Sequence, residues 1–182
     1  KIEYQFDWIK EEKPKIAVIY AVGAISSGES VTGKTGSSVM GDETMRDAIK
    51  SAREDNSIEA IVLRINSPGG SGSASDLIWR EIIKTTDEDT SNVKPFIASM
   101  SDMAASGGYY IACQADTIVA YPGTITGSIG VLGGRVNLSG LMNKIGINYD
   151  RLTFGDNSSI WSGSKLWTNE EKQIMRNLIV EF

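Results

Sequence analysis

Short apolar runs that alternate with segments of helical periodicity constrain the fold of this chain more than any other feature. Four such runs predict strands: KIAVIYAV (15–22), EAIVLRIN (59–66), PFIASM (95–100) and DTIVAY (116–121). Apolar residues at helical spacing predict two of the intervening helices: Met45, Ala48, Ile49, Ala52 and Ala74, Leu77, Ile78, Ile82. This alternation predicts an α/β fold with a mostly parallel sheet.

Local signals assign the remaining segments. Residues 23–42 are rich in Gly and Ser and predict a mobile loop or a binding segment, with Asp42 as the N-cap of the first helix. Towards the end of the chain we expect a helix near 138–145, a strand near 147–154 and a last helix from 168. Thr168 and Glu171 form the sequence pattern of a capping box at the start of that last helix.

Composition narrows the class of protein. The 182 residues are enough for one domain (1–182), and a net charge of −5 without a concentrated basic patch argues against nucleic-acid binding. No run approaches the roughly 20 apolar residues of a membrane span. The single cysteine, Cys113, lies in an apolar stretch and is predicted to be a small core residue. The chain ends inside an apparent helix, so we expect it to be a piece of a longer protein.

Ser106 lies in an apolar stretch, DMAASGGYYIACQAD (102–116), where a strand is expected to lead into a helix. It is either an N-cap residue or a nucleophile whose alkoxide is favoured by the helix dipole, with the Gly107 N–H donating to a developing oxyanion. The chain contains no histidine, which excludes the usual imidazole-dependent hydrolase sites. Lys, Asp, Glu, Tyr and water remain as proton acceptors, and a lysine with a lowered pKa is the most economical.

A second glycine turn, INSPGGSGSAS, follows the strand at 59–66. Gly69 and Gly70 allow a positive φ or the close approach of another segment. Free N–H groups at the start of the following helix would hold an anion or an oxyanion, and the alternative is a tight turn without a ligand. Two such turns after successive strands favour acyl chemistry.

The segments AIVLRINSPGGSGSASD and SMSDMAASGGYYIACQADTIVAYPGTITGSIGV together resemble the signal peptide peptidase A (SppA, protease IV) family. The resemblance runs from about Lys15 to the end of the chain. It implies the Clp protease/crotonase-like fold, a superhelix of repeated ββα units with a mostly parallel sheet. It further implies that Ser106 is the nucleophile, that Gly70 and Gly107 supply the oxyanion N–H groups, and that Ser128 orients the base lysine. No metal or cofactor is expected.

The base lysine is the point at which this sequence departs from the family. Shorter members carry it in a Gly-x-x-Lys stretch, and the matching position here is Ser158. In tandem-repeat members the lysine comes from the N-terminal half. We therefore expect this chain to be the C-terminal, serine-bearing half of such a protein, with the lysine outside it. Lys165 is the nearest local substitute, although its position is more typical of a solvated surface charge.

The resemblance also implies a function and a location. It predicts a Ser-Lys peptidase that cleaves apolar peptides such as remnant signal peptides, with Met100, Met103 and Val131 as candidates to line a pocket. It predicts a ring-like homo-oligomer on the extracytoplasmic face of a bacterial membrane, with an anchor in the full-length protein. Two alternatives remain, a self-associating scaffold without activity and a crotonase-like acyl-CoA enzyme. The MAASGG serine and the lack of a basic CoA-binding cluster disfavour the second.

Overall fold

The computed structural model describes residues 14–33, 38–88 and 93–181. The chain divides into two compact units, Lys1–Ile129 and Gly130–Phe182, and each is described by itself. That residues 1–182 form a single peptidase domain of a longer protein stays a prediction.

The described elements follow one another in chain order. The strands are β1 (Lys15–Val22), β2 (Ala24–Ser26), β3 (Val31–Thr32), β4 (Ser38–Gly41), β5 (Ile58–Ser67), β6 (Phe96–Ala105), β7 (Thr117–Val119) and β8 (Ile125–Gly127). The helices are α1 (Asp42–Glu54), α2 (Gly72–Ile83), α3 (Gly107–Tyr110), α4 (Ser139–Lys144) and α5 (Asn169–Val180), and a π-helical turn (Lys84–Glu88) follows α2.

A parallel sheet forms the centre of the first unit. Its strand order is β1-β5-β6-β7, and β8 pairs with β6 beyond the end of β7. The burial of side chains alternates along β5: Ile61, Leu63 and Ile65 are fully buried, and the residues between them are half-buried. Ile49 of α1 and Ile78 of α2 are also fully buried in the same core. The predicted α/β fold with a mostly parallel sheet is confirmed.

The described part of residues 23–42 contains three short strands where a loop was predicted. Strands β2, β4 and β3 form a small second sheet, with β2 parallel and β3 antiparallel to β4. Asp42 is not the N-cap of α1, since Gly41 occupies that position and no side chain caps the helix. The buried Asp42 carboxylate instead accepts a hydrogen bond from the Gly28 amide at 2.9 Å, which ties the turn after β2 to the helix.

Other predictions divide between confirmed and wrong. The capping box of α5 is confirmed, and α4 lies within the predicted helix at 138–145. Residues 147–154 are not a strand, because the described part of the second unit offers no strand with which they could form a ladder.

Cys113 is exposed rather than in the core, since the short turn after α3 buries Ile111 and Ala112 and directs the next side chain outward. Leu77 is 43% exposed and lies outside the buried face of α2.

No helix in the described part of the chain combines the length and the apolar character that crossing a membrane requires.

Candidate active site

Ser106 occupies the sharp turn between β6 and α3. Its backbone has φ 52° and ψ −120°, a strained conformation for a residue with a Cβ. Ser106 occupies the N-cap position of α3, but its side chain makes no capping hydrogen bond, so its hydroxyl does not act as a helix cap. A strained strand-to-helix turn that leaves its serine hydroxyl uncommitted is the shape of a nucleophile elbow.

Backbone hydrogen bonds hold this turn. The Ser106 amide donates to the Gly127 carbonyl at the end of β8 at 2.9 Å. The Ser106 carbonyl accepts from the Tyr109 and Tyr110 amides at 2.9 Å each. Both backbone groups of Ser106 therefore have partners in neighbouring elements, which is how the surrounding fold maintains a strained residue.

The glycine turn after β5 is fixed from two sides. The buried Ser67 hydroxyl donates to the Gly23 carbonyl at 2.7 Å and accepts from the Gly69 amide at 3.1 Å. Ile25 of β2 donates its amide to the Gly69 carbonyl and accepts from the Ser71 amide, both at 2.9 Å. The turn therefore joins the two sheets of the first unit.

The two turns lie against each other. A Cβ placed on Gly69 would lie 2.6 Å from the Gly107 amide nitrogen and 2.9 Å from the Ser106 Cβ. A Cβ on Gly107 would collide with the Ser75 hydroxyl. The close approach of the two backbones therefore requires glycine at Gly69, whereas at Gly107 it is the Ser75 side chain that leaves no room for a Cβ.

Two backbone donors remain available at this junction. Neither the Gly70 amide nor the Gly107 amide donates a hydrogen bond to another of the described residues. Unpaired amides beside an uncommitted serine hydroxyl are the components of an oxyanion hole. The structure thus brings Ser106, Gly107 and the Gly69–Gly70 turn together, and their roles in catalysis stay predictions.

The helices that follow the two turns are also linked. The Tyr110 hydroxyl at the end of α3 donates to the Asp76 carboxylate of α2 at 2.9 Å, and its ring stacks on Trp79 with centroids 5.6 Å apart. Burial, and then the hydrogen bond to Asp76, raises the pKa of Tyr110 to about 12. The phenol therefore stays protonated across the physiological pH range, and its hydrogen bond to Asp76 links α3 to α2.

Ser128 is next to this junction. Strand β8 pairs Gly127 with Ala105 of β6, so Ser128 follows the residue whose carbonyl holds the Ser106 amide. Ser128 has a positive φ of 53° and an exposed side chain. The structure places it near the nucleophile, and its role in orienting a lysine stays a prediction.

Two lysines of the described residues are engaged elsewhere. In the second unit, Lys165 Nζ lies 2.5 Å from Glu171 Oε1, and this contact, followed by the Thr168 amide, lowers the pKa of Glu171. Lys165 thereby supports the capping box of α5. Lys94, which sequence reasoning overlooked, is buried and donates to the Ala52 and Asp55 carbonyls at 2.8 and 2.6 Å.

One cavity of about 370 Å³ lies away from the nucleophile. Its lining contains neither Ser106 nor the glycine turn: Arg64, Ser101, Asp102, Tyr121, Gly123 and Thr124. Of the predicted pocket residues, Met100 is 1% exposed and belongs to the core. Among residues 14–33, 38–88 and 93–181, no group of three or more Cys, Asp or Glu side chains could hold a metal ion.

Similarity to known proteins agrees with this geometry. The chain is 44% identical over 143 residues to the chloroplastic serine protease SPPA of Arabidopsis thaliana, which is 79% of this chain and 20% of that protein. It is 40% identical over 167 residues to Protease 4 of Salmonella typhi, which is 92% of this chain and 25% of that protein. The chain thus spans a quarter or less of the length of these relatives.

The fold has a solved counterpart. A structure of the 1510-N membrane-bound stomatin-specific protease, in a mutant form with a serine replaced by alanine, matches with a TM-score of 0.52 and 26% identity over 69% of this chain and 52% of that one. The family model described as peptidase family S49 matches residues 88–182, which include Ser106, Gly107 and Ser128. The chain belongs to peptidase family S49.

Proposed function

We propose that this chain supplies the nucleophile and the oxyanion hole of a serine peptidase that uses a Ser-Lys dyad. One observation carries the proposal. Ser106 lies in a strained turn directly against the Gly69–Gly70 turn, and its side chain makes no capping hydrogen bond. The Gly70 and Gly107 amides are unpaired among the described residues. Membership of peptidase family S49 supports the same reaction class.

The reaction proceeds in two halves. The Ser106 Oγ attacks the peptide carbonyl while a neutral lysine amine takes the hydroxyl proton, and the Gly70 and Gly107 amides donate to the oxyanion that forms. As the tetrahedral intermediate collapses, the C–N bond breaks and the lysine returns the proton to the leaving amine. Water then hydrolyses the acyl-serine ester with the lysine again as base. Each oxyanion donor contributes about 10²–10³-fold to kcat.

The base lysine lies on a segment outside this chain in our proposal. The ion pair of Lys165 with Glu171 and the buried hydrogen bonds of Lys94 support this, because both amines already have other partners. In this proposal Ser128, which follows the residue whose carbonyl accepts the Ser106 amide, orients that lysine.

The substrates we propose are apolar peptides, with remnant signal peptides as the natural class. The SppA resemblance supports this assignment, together with a ring-like assembly and attachment of the full-length protein to a bacterial membrane with its catalytic side outside the cytoplasm. An extended peptide would lie over the Ser106 turn with its scissile carbonyl directed at the Gly70 and Gly107 amides.

Hydrolysis of an apolar peptide by three proteins tests the proposal: the full-length protein, its Ser106→Ala variant and the 182-residue chain alone. We expect Ser106→Ala to lower kcat by at least about 10³-fold. Ser73→Ala, at an exposed serine of α2, is the matched control and leaves kcat unchanged. Activity that survives Ser106→Ala contradicts the nucleophile, and strong activity of the isolated chain contradicts the external lysine. A folded but inactive full-length protein would favour the scaffold alternative.

A further inference from the structure

Strand β6 contains a bulge immediately before the nucleophile. Along β5 the pairing advances by two residues, from Ile65 to Ser67, while along β6 it advances by four, from Met100 to Ala104. Two extra residues of β6 therefore have no counterpart on β5. Bulges of this kind bend a strand and redirect the side chains that follow, and they are common beside active sites.

Arg64 of β5 ties down the start of this bulge. One terminal nitrogen of its guanidinium donates to the Ser99 hydroxyl at 2.9 Å and to the Met100 carbonyl at 3.2 Å. The other terminal nitrogen donates to the Ser101 hydroxyl at 3.0 Å. A break in the ladder leaves backbone groups that need other partners, and the guanidinium supplies one to the Met100 carbonyl while it also holds the Ser99 and Ser101 side chains.

Strand β8 and Thr124, the residue before it, hold the same bulge from the other side. The Thr124 hydroxyl donates to the Ser101 carbonyl at 2.7 Å, and the Thr126 hydroxyl donates to the Ala104 carbonyl at 2.9 Å. The carbonyl of Gly127, the next residue of β8, then accepts the Ser106 amide at 2.9 Å. From the start of the bulge to the nucleophile, hydrogen bonds from Arg64 and from residues 124–127 therefore hold β6 at several successive positions.

The charge of Arg64 has no anionic partner in the described part of the chain. No carboxylate there lies within 4.0 Å of its guanidinium nitrogens. Its charge is directed at neutral acceptors on the strand that ends in the nucleophile. Three residues further along β5, Ser67 holds the Gly69 amide, so one strand fixes both halves of the candidate site.

We propose that Arg64 is a positioning residue, which fixes the β6 bulge and thereby aligns Ser106 and the Gly107 amide with the Gly70 amide. The inference rests on the peptidase function proposed above. Misplacement of a reacting group by about 1 Å costs on the order of 10²-fold in rate. Loss of the clamp therefore lowers kcat by about 10- to 100-fold, while KM changes by less than about twofold because the clamp holds the reacting groups rather than the remainder of the peptide.

The experiment compares Arg64→Met, Arg64→Lys and Arg46→Met in the full-length protein. Arg46 is the matched control, since it is a 41% exposed arginine of α1 that pairs with Asp42 at 3.4 Å. We measure kcat, KM and the hydrogen exchange of backbone amides. Arg64→Met should lower kcat and accelerate exchange between residues 99 and 107, including the Ser106 amide, without accelerating exchange in β1. Arg64→Lys should restore part of both effects, and Arg46→Met should change neither.

Two results would overturn the inference. One is Arg64→Met with wild-type kcat and wild-type exchange at Ser106. The other is a uniform acceleration of exchange across the sheet, which would make Arg64 a general stabilising residue. If Arg64→Met does not fold, Ser101→Ala removes one acceptor and should lower kcat by about 3- to 10-fold with the same local exchange. If the wild-type protein shows no peptidase activity, the proposed function fails, and exchange at Ser106 still decides the role of Arg64.

Discussion

Gly69→Ala inserts a methyl group between the two turns of the candidate site. Gly69 has a φ of +91°, and a Cβ there would lie 2.6 Å from the Gly107 amide nitrogen and 2.8 Å from the Ala105 carbonyl oxygen. Both neighbours are backbone atoms of the junction that carries Ser106. The clash can be relieved only if the Gly69–Gly70 turn and the Ser106 turn move apart.

Two costs of this substitution have separate magnitudes. An L-residue in left-handed backbone costs about 1–2 kcal/mol, and this cost lowers the free energy of unfolding. Displacement of the Gly107 amide from the oxyanion lowers kcat by about 10²–10³-fold, or about 2.7–4 kcal/mol of transition-state stabilisation. The first cost depends on φ alone, whereas the second requires the contact between the turns.

Gly146→Ala separates the two costs. Gly146 has a φ of +77°, and nothing lies within 4 Å of a Cβ placed there. Both variants are made in the full-length protein, and urea denaturation, kcat and KM are measured. We expect Gly146→Ala to lose about 1–2 kcal/mol of stability with kcat unchanged. Gly69→Ala should lose at least as much stability and about 10²–10³-fold in kcat.

The refuting result is a folded Gly69→Ala protein whose kcat is within about threefold of that of Gly146→Ala. It would show that the Gly107 amide does not contribute to the rate, although the turns are in contact. A loss confined to KM would also contradict the reasoning, because it would place Gly69 against bound peptide rather than against the oxyanion donor.

Three further predictions concern stability, and urea denaturation measures each one. Lys94→Met should lose about 2–4 kcal/mol, because one buried and one partly buried carbonyl at the end of α1 lose their charged donor. Lys50→Met, at a 4.0 Å exposed pair, should change stability by less than about 0.5 kcal/mol, and equal effects would contradict the role of Lys94. Glu81→Gln should destabilise at pH 7, and the gap to wild type should close as the pH falls below 4.5. Burial raises the pKa of Glu81, but hydrogen bonds from Lys84 and Arg53 lower it overall. The stabilisation by the Glu81 carboxylate is therefore present above its unfolded-state pKa and is lost as the pH falls through its folded-state pKa. A difference in stability that stays constant with pH would refute this. Ile78→Ala should cost about 2–5 kcal/mol, and the adjacent Leu77→Ala, at a 43% exposed side chain, less than about 1 kcal/mol; a large loss for Leu77→Ala would contradict the assigned core face.

Prediction from sequence succeeded where the signal is local. The alternation in β5, the capping box of α5 and the two glycine turns all depend on residues within a few positions of one another. Ser106 could be singled out for the same reason, because a serine followed by two glycines after an apolar strand defines its own turn. That both turns follow successive strands was also readable from the sequence, and the carboxyl ends of parallel strands are where such folds place their sites.

Prediction failed where distant residues decide the conformation. Residues 23–42 look like a loop because glycine and serine are frequent among them, yet the described residues of this segment include the paired strands β2, β3 and β4. The strand expected at 147–154 has suitable residues but no partner strand in the described part of its unit. Cys113 lies in an apolar stretch, and only the direction of the short turn after α3 leaves it exposed.

By itself, the sequence determined the fold class, the lack of any imidazole and the position of a serine in a turn that needs glycine beside it. Only the tertiary structure decided that the Ser106 backbone is strained and its hydroxyl caps no helix, that Gly69 lies against Gly107, and that Arg64 hydrogen-bonds to the bulge before the nucleophile. The physical reason is the separation in sequence of the residues involved. Hydrophobic periodicity and the φ of a glycine depend on residues within one turn or strand, whereas these contacts join the distant strands β5, β6 and β8.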